Sequence, residues 1–209
     1  MTKSKDKSRR KNEGIVKGLR KEIMGMVGQR TKEFSMLRDI ASEVNRPLAL
    51  DQMLKAIIGA VLETVPLAQR VAIHLCSEGA NILVPIASVQ RGRSRKWTPA
   101  AEIIQTIARR TAKKKRKTYI PDLRKEVRVP DKKGKLSLLV IPLVSDQKTV
   151  GTLSMYGAEA EAFTGHDQCL VEIFAGWAAM AIKKTQLRFE VEQSQEAALN
   201  IPANQAASA

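Results

Sequence analysis

Apolar residues recur at steps of three and four along four stretches of the chain, which is the spacing of one face of an α-helix. The pattern predicts one or two helices over residues 18–44, which Pro47 closes because it has no backbone N–H to donate. A second helix is predicted over 50–64, and a short helix begins near Thr98. The last stretch predicts a long closing helix over 166–192.

A period of two, typical of β-strands, replaces the helical spacing in two other stretches. Residues 136–156 hold two apolar runs around a polar Ser-Asp-Gln-Lys turn. Residues 71–86 alternate on both sides of a Ser-Glu-Gly-Ala-Asn turn, with the apolar face predicted at Val71, Ile73, Leu75, Ile82, Val84 and Ile86. Both stretches predict β-hairpins, and Tyr119 lies in a short predicted strand. Gly151 predicts a bulge or a close approach of two backbones.

Length and composition fit one folded core with a tail at each end. Of the 209 residues 44% are hydrophobic, an ordinary share for a globular protein. We expect a disordered basic tail over 1–17, a folded domain over 18–192 and a disordered polar tail over 193–209. Because no apolar run is long enough for a membrane span or a secretion signal, the expected location is the cytoplasm.

The positive charge is concentrated in two segments. Of the net charge of +15, residues 1–21 carry +7 and residues 91–135 carry +13, while the rest of the chain is net negative. Seven of the nine residues in "RRTAKKKRK", 109–117, are Lys or Arg. Cations clustered in this way favour binding to phosphates and other anions. The candidate ligand- or anion-binding residues are Arg91, Arg93, Arg109, Arg110, Lys113, Lys114, Lys115, Arg116, Lys117, Tyr119 and Arg124.

Cysteine and histidine are too few and too scattered for a disulfide framework or a metal site. The two cysteines, Cys76 and Cys169, form no C-x-x-C pair, and we expect both to be small buried residues. His74 lies on a predicted strand, on the face opposite to Val71, and has no second ligand at metal-binding spacing. The sequence also lacks a glycine-rich phosphate loop and a catalytic triad, so we expect neither an enzyme nor a metal.

Four motifs, in order along the chain, resemble those of GAF domains, the sensory relatives of PAS domains. They are "LDQMLKAIIGAVLETVPLAQRVAIHLCSEG", "KTYIPDL", "LSLLVIPLVSDQKTVGTLSMY" and "FTGHDQCLVEIFAGWAAMAI", and the resemblance covers roughly residues 34–188. It implies an α+β fold, in which an antiparallel sheet carries a helical bundle of N- and C-terminal helices on one face. On the other face it implies a ligand pocket under loops and short helices.

The specialised chemistries of the family do not carry over to this sequence. Residues 91–135 hold no cysteine of the kind that attaches a bilin, and Cys76 and Cys169 do not match the cysteines of the members that reduce free methionine sulfoxide. The signature of the cyclic-nucleotide-binding members cannot be assembled either. We therefore expect no covalent bilin and no haem, and the resemblance leaves the ligand unknown.

Two functions of different class follow. The first is a non-catalytic, stand-alone regulatory sensor that binds a small, anionic ligand and acts through protein partners, as a homodimer through its terminal helices. The second is a scaffold on which residues 1–21 and 91–135 bind a polyanion, such as nucleic acid, anionic lipid or an acidic protein surface. The charge distribution favours the second function, and the family resemblance alone favours the first.

Overall fold

The computed structural model describes residues 28–39, 49–76, 82–92, 101–126 and 136–199, together with positions 18, 21, 24 and 25. The chain divides into two units, Met1–Ser42 and Glu43–Ala209. Every described residue of the first unit is helical, with a continuous helix α1 over 28–39, in agreement with the predicted helix over 18–44. The tail predicted over 1–17 lies outside the described residues.

The second unit is an α+β structure built on one antiparallel sheet. Its helices are α2 (Leu50–Thr64), α3 (Ala101–Lys114), α4 (Leu123–Glu126) and α5 (Gly165–Leu199), and its strands are β1 (Ala68–Cys76), β2 (Leu83–Gln90), β3 (Thr118–Ile120), β4 (Ser137–Ser145) and β5 (Lys148–Gly157). The strand order is β2-β1-β5-β4-β3, and all four neighbouring pairs are antiparallel. The predicted fold class is confirmed.

Helices α2 and α5 pack together on one face of this sheet, which we call the helix face. Their buried stripes follow the predicted helical spacing, because such spacing places residues on one side of a helix. Across from them lie alternate strand residues, which point to the same face. The fully buried side chains of this layer are Leu54, Ile57, Ile58, Val61, Val71, Ile73, Leu139, Leu143, Leu153, Met155, Phe174, Ala178 and Ile182.

The opposite face, which we call the lid face, is covered by α3, which contacts β2, β4 and β5. A smaller apolar cluster joins α3, α4 and the sheet there, and its buried members are Leu83, Ala108, Ile120, Leu123, Leu136, Leu138 and Val140. Thr149 Oγ1 donates to the Ala112 carbonyl at 3.0 Å, which fixes the C-terminal half of α3 to β5. The sheet therefore has helices on both faces, and α3 is the largest described element over the lid face.

The β4–β5 hairpin turns through two residues in the left-handed region, Asp146 at φ 49° and Gln147 at φ 61°. Positive φ at both central residues is the backbone of a type I′ turn. Farther along β5, a Cβ added to Gly151 would lie 2.4 Å from the backbone oxygen of His74 on β1. The predicted close approach at Gly151 is confirmed, and the β4–β5 register also shifts next to it, between Leu143 and Val144.

The apolar face predicted for β2 is wrong. Ile82 and Val84 are 61% and 50% exposed, whereas Leu83 and Ala87 are buried. Val84 pairs with Leu75 as the prediction requires, but β2 is at the edge of the sheet, where its side chain is exposed. Ile73 pairs with Ala87 and His74 with Pro85, so Ile86 is an extra residue and the side-chain alternation changes there. The polar residues of β2, Ser88 and Gln90, lie beyond this bulge and therefore do not indicate the alternation before it.

Helix α5 continues to Leu199, beyond the end predicted at residue 192. Residues 193–199, which were expected to belong to the disordered tail, are helical because Gln, Glu, Ala and Leu all favour helix. The rest of that tail, the first hairpin turn and the start of the short helix at Thr98 lie outside the described residues. Within the described part of the chain, no helix combines the length and the apolarity that a membrane crossing requires.

Candidate functional site

A row of polar side chains crosses the lid face of the sheet on the two central strands. The register of β1 and β5 pairs Arg70 with Tyr156, Ala72 with Ser154 and His74 with Thr152. Because these positions are two residues apart on each strand, all six side chains point to the same face. On the helix face the same stretch of these two strands carries the apolar residues Val71, Ile73, Leu153 and Met155 instead.

Three polar atoms of this row are buried without a hydrogen-bond partner among the described residues. They are Nδ1 of His74, Oγ1 of Thr152 and Oγ of Ser154, and the side chains of Thr152 and Ser154 are fully buried. An unsatisfied buried polar group costs about 1–3 kcal/mol. Three such groups side by side make the domain less stable than apolar side chains would at the same positions, and they leave a polar surface inside the fold.

A cavity of about 430 Å³ opens next to this row. Strands β1 and β2 form its floor and side, and the N-terminal half of α3 forms its roof. We call it the lid-face pocket, and its lining residues are Arg70, Ala72, His74, Pro85, Ile86, Ala87, Ser88, Ile104, Gln105 and Tyr156. Its volume is within the usual range of small-molecule sites.

The titratable groups of the lid-face pocket are one cation and two neutral rings near neutral pH. Burial, and secondarily the charge of Arg70, lowers the pKa of His74 below its ordinary value of 6.5. Burial raises the pKa of Tyr156 to about 12, partly offset by the positive charge of Arg70. Because the imidazole and the phenol are both neutral, Arg70 supplies the charge, and the pocket suits a polar ligand with an anionic group.

A second concave site of about 620 Å³ lies between α3 and β3, and we call it the basic groove. It is lined by Ile107, Arg110, Lys114, Arg116, Lys117, Thr118, Tyr119 and Ile120. Five of the sequence-predicted anion-binding residues therefore meet in one place. Helix α3 joins the two sites, since Ile104 and Gln105 face the lid-face pocket and Arg110 and Lys114 face the basic groove.

Two of the groove residues also have structural contacts. The Lys117 ammonium lies 3.0 Å from the Glu172 carboxylate on α5. The ring of Tyr119 packs against Phe163 with centroids 6.1 Å apart, and its hydroxyl accepts a hydrogen bond from the Phe163 backbone N–H at 3.3 Å. The cations of the groove without such a contact among the described residues are Arg110, Lys114 and Arg116.

The other predicted residues do not line the groove. Arg91 donates to the Leu62 carbonyl at the end of α2, and Arg109 donates to Gln105 Oε1 at 2.9 Å. Lys113 is exposed on α3, and Lys115 donates to the Gln147 carbonyl at the β4–β5 turn. Arg124 pairs with Asp122 at 3.3 Å and, through this hydrogen bond first, lowers the pKa of that carboxyl. Arg93 lies outside the described residues.

Comparison with protein families and solved structures agrees with this geometry. The sequence profile described as "GAF domain" matches residues 47–183, well over half of the chain. The chain belongs to the GAF domain family. A search of curated proteins finds no match. The predicted resemblance is thereby confirmed, and the family assigns a sensory or regulatory type of domain to the sheet and its lid.

Solved GAF domains share the fold at low sequence identity. The GAF domain of a phosphoenolpyruvate-protein phosphotransferase from Acinetobacter is 14% identical with a TM-score of 0.61, and the match covers 75% of this chain and 95% of that one. The corresponding domain from Coxiella burnetii is 18% identical with a TM-score of 0.56, covering 76% and 96%. The free methionine-R-sulfoxide reductase from Neisseria meningitidis, in complex with its substrate, is 15% identical with a TM-score of 0.57, covering 75% and 91%.

The cysteines of this GAF domain are separated by its sheet. Cys76 is half-buried against the apolar cluster of the lid face, and burial raises the pKa of its thiol. Cys169 is exposed on α5, on the helix face, so the expectation that it would be buried is wrong. The stripe of α5 that packs inward passes through Leu170 and Val171 instead. Among the described residues no group of three or more His, Cys, Asp and Glu side chains could hold a metal ion.

Sequence reasoning missed the polar row of the GAF sheet, although a signal for it exists. Thr152, Ser154 and Tyr156 occupy alternate positions of β5, and Arg70 and His74 lie four residues apart on β1, on either side of Ala72. Polar residues at a period of two are ordinary on a strand with one solvated face. Here both faces are covered, and only the tertiary structure reveals that Thr152 and Ser154 are buried and the other three partly buried.

Proposed function

We propose that this GAF domain is a non-catalytic sensor whose lid-face pocket binds a small polar ligand with an anionic group. The observation that carries the proposal is that Arg70, Tyr156 and the buried, unpartnered Nδ1 of His74 meet in the lining of this pocket. Native proteins satisfy nearly all of their buried polar groups, so an exception in the wall of a cavity calls for an explanation. A ligand in the pocket that hydrogen-bonds to His74 would supply the missing partner.

The groups around the pocket define the chemistry of the ligand. The Tyr156 hydroxyl can donate or accept a hydrogen bond, and the neutral imidazole of His74 has one donor and one acceptor nitrogen. The guanidinium of Arg70 fits a carboxylate or a phosphate in a two-pronged contact. Ile86 and Ile104 add apolar surface. We therefore favour a small organic anion with additional hydroxyl, carbonyl or amino groups.

The absence of catalysis is part of the proposal. The same fold carries a reductase that was solved with its substrate and the GAF domains of phosphotransferases, so the fold itself allows both outcomes. The two cysteines lie on opposite faces of the sheet, which argues against thiol chemistry that needs the pair. The pocket is lined by one histidine, His74, and by no carboxylate that could orient it as a general base.

We propose that the domain works as a homodimer through α5 and acts on a protein partner in that form. From Ile173 to Val191, α5 has a heptad seam with steps of four and three: Ile173, Trp177, Met180, Lys184, Leu187 and Val191. Of these, Ile173, Met180, Leu187 and Val191 are 45–54% exposed. Exposed apolar residues at this spacing are the seam of a two-stranded coiled coil, and a single Lys in such a seam favours one register.

The ligand proposal is tested with purified wild-type protein and two variants. Native mass spectrometry detects a retained ligand, and a thermal shift screen of small carboxylates and organic phosphates detects one that is added. In R70M the cation of the pocket is removed, so we expect small anions to stabilise the protein no longer. An unchanged ligand response in R70M would contradict binding of an anionic group in this pocket.

The matched control is K55M. Lys55 is also a cation, but it is exposed on α2 and pairs with Asp51, away from the lid-face pocket. This variant should keep the ligand response. If neither retained nor added small anions stabilise the wild type, or if K55M loses the response as R70M does, the lid-face pocket is not the binding site.

A further inference from the structure

The basic groove is a separate site with a charge pattern of its own. Four of its eight lining residues are Lys or Arg, and none of the eight is acidic. Arg110 and Lys114 are one helical turn apart and both exposed, which places their charges about 6 Å apart along α3. Arg116 and Lys117 follow the end of the helix by two and three residues. Like charges held this close repel one another, and a polyanion would relieve that repulsion.

The shape of the groove adds to the case. Strand β3 is at the edge of the sheet, since it pairs with β4 alone in the strand order. One side of its backbone therefore has no partner strand among the described strands, and its residues Thr118, Tyr119 and Ile120 line the groove, where Ile107 and Ile120 offer apolar surface next to the cations. The groove is a concave site of about 620 Å³ and not a flat surface. A flexible chain of phosphates fits a groove better than a folded acidic surface does.

Charge elsewhere in the sequence favours a long polymer as the partner. Residues 1–21 hold nine Lys or Arg and two acidic residues. A nucleic acid can contact two separate cation clusters whatever their relative placement, because its phosphates repeat along its whole length. A compact acidic protein would need one fixed arrangement of both clusters.

We propose that the basic groove binds the phosphate backbone of single-stranded nucleic acid, without sequence specificity. Arg110, Lys114 and Arg116 contact phosphates, and the nucleic acid runs along the edge of β3. Binding at this groove is independent of the small ligand proposed for the lid-face pocket. The affinity depends steeply on salt, because each neutralised phosphate releases condensed counterions.

The test measures binding of the full-length protein to a fluorescent, mixed-sequence 20-nucleotide strand by anisotropy, over a series of salt concentrations. The variant R110A/K114A/R116A removes three groove cations and spares Lys117, which pairs with Glu172. We expect its affinity to fall at least about tenfold at ~0.1 M salt, and the slope of log affinity against log salt to become shallower by about 2, as the loss of three phosphate contacts predicts.

The matched control is R30A/R38A/K55A, which removes the same three charges from exposed positions on α1 and α2. It should retain affinity within about twofold, since net charge alone contributes weakly to a localised contact. Unchanged melting temperatures exclude unfolding as the cause of any loss. Equal weakening in both variants, or unchanged binding in the groove variant, would overturn the proposal.

Two competing polyanions complete the test. Poly-glutamate of matched charge should compete at least about tenfold less well than the unlabelled strand, because it lacks phosphates that carry condensed counterions at the same density. The groove variant should bind vesicles with anionic phospholipid as tightly as the control variant does. Equal competition by poly-glutamate assigns the groove to acidic protein, and groove-dependent vesicle binding assigns it to membrane surfaces; either result refutes the nucleic-acid proposal.

Discussion

At the scale of one residue, His74 affects both the stability of the fold and the proposed binding site. Its Nδ1 is buried without a partner among the described residues, and Arg70 lies on the same face of the same strand. Burial and this neighbouring cation both disfavour the imidazolium in the folded state. The unfolded chain, in contrast, protonates the residue as an ordinary histidine.

The pH dependence of stability follows from that difference. Well above pH 6.5 neither state holds the proton, so the full stability is present. As the pH falls below 6.5, the unfolded state binds a proton that the folded state binds only at a lower pH, and the free energy of unfolding decreases. Urea unfolding at pH 7.5 and pH 5.5 should show this loss in the wild type and a smaller loss in H74Q.

The control for this measurement is a second pair of pH values, 7.5 and 8.5, between which His74 stays neutral in both states. Between them the free energy of unfolding of H74Q and of the wild type should change by the same amount. If H74Q and the wild type lose the same free energy on acidification, the environment assigned to His74 is wrong.

At the scale of the elements, Gly151 sets how closely β5 approaches β1. A Cβ at this position would meet the backbone oxygen of His74 at 2.4 Å and the Leu143 side chain at 3.2 Å. The first contact is with backbone of the neighbouring strand, which can yield only by moving β1. We expect G151A to destabilise the domain by about 2–4 kcal/mol, measured by urea unfolding, because it strains the centre of the sheet.

The same substitution on α5 should have the opposite sign. Gly176 is exposed within the helix and has no atom within 4 Å of an added Cβ. G176A should therefore stabilise the protein by about 0.5–1 kcal/mol, the usual gain of Ala over Gly in a helix. An unfolding free energy of G151A equal to or above that of the wild type would show that β1 and β5 are not held at this distance.

The helices and strands also differ in how well the sequence alone could predict them. Gly151 and the helix stripes of α2 were predictable, since close backbones exclude side chains and burial follows the helical period. The alternation of β2 was not, because the extra residue Ile86 changes it and a bulge depends on the partner strand. Likewise, the run "KKKRK" identified cations, but the contacts of Lys115 with the β4–β5 turn and of Lys117 with Glu172 depend on the folded neighbours.

At the scale of the whole molecule, α3 and the β4–β5 hairpin link the sites on the lid face with α5. Helix α3 lines both the lid-face pocket and the basic groove, and Lys115 at its end donates to the Gln147 carbonyl. The same turn contributes Ser145 and Asp146 to a groove on α5 that Met180 and Leu187 also line. A displacement of α3 by a ligand would therefore act on a turn that touches the proposed dimer seam.

The C-terminal half of α5, which carries the second half of the heptad seam, is exposed. Residues 184–197 of α5 are all exposed, and an isolated helical stretch of this length is marginal in water. A second copy that covers Met180, Leu187 and Val191 would stabilise it.

The wild type should sediment as a dimer at micromolar concentration, and M180E/L187E should sediment as a monomer, because two carboxylates in each seam would have to be buried together. F189E is the matched control: Phe189 is 60% exposed on the same helix but outside the heptad positions, so this variant should remain dimeric. A monomeric wild type, or dissociation by F189E as complete as that by M180E/L187E, would exclude pairing through this seam.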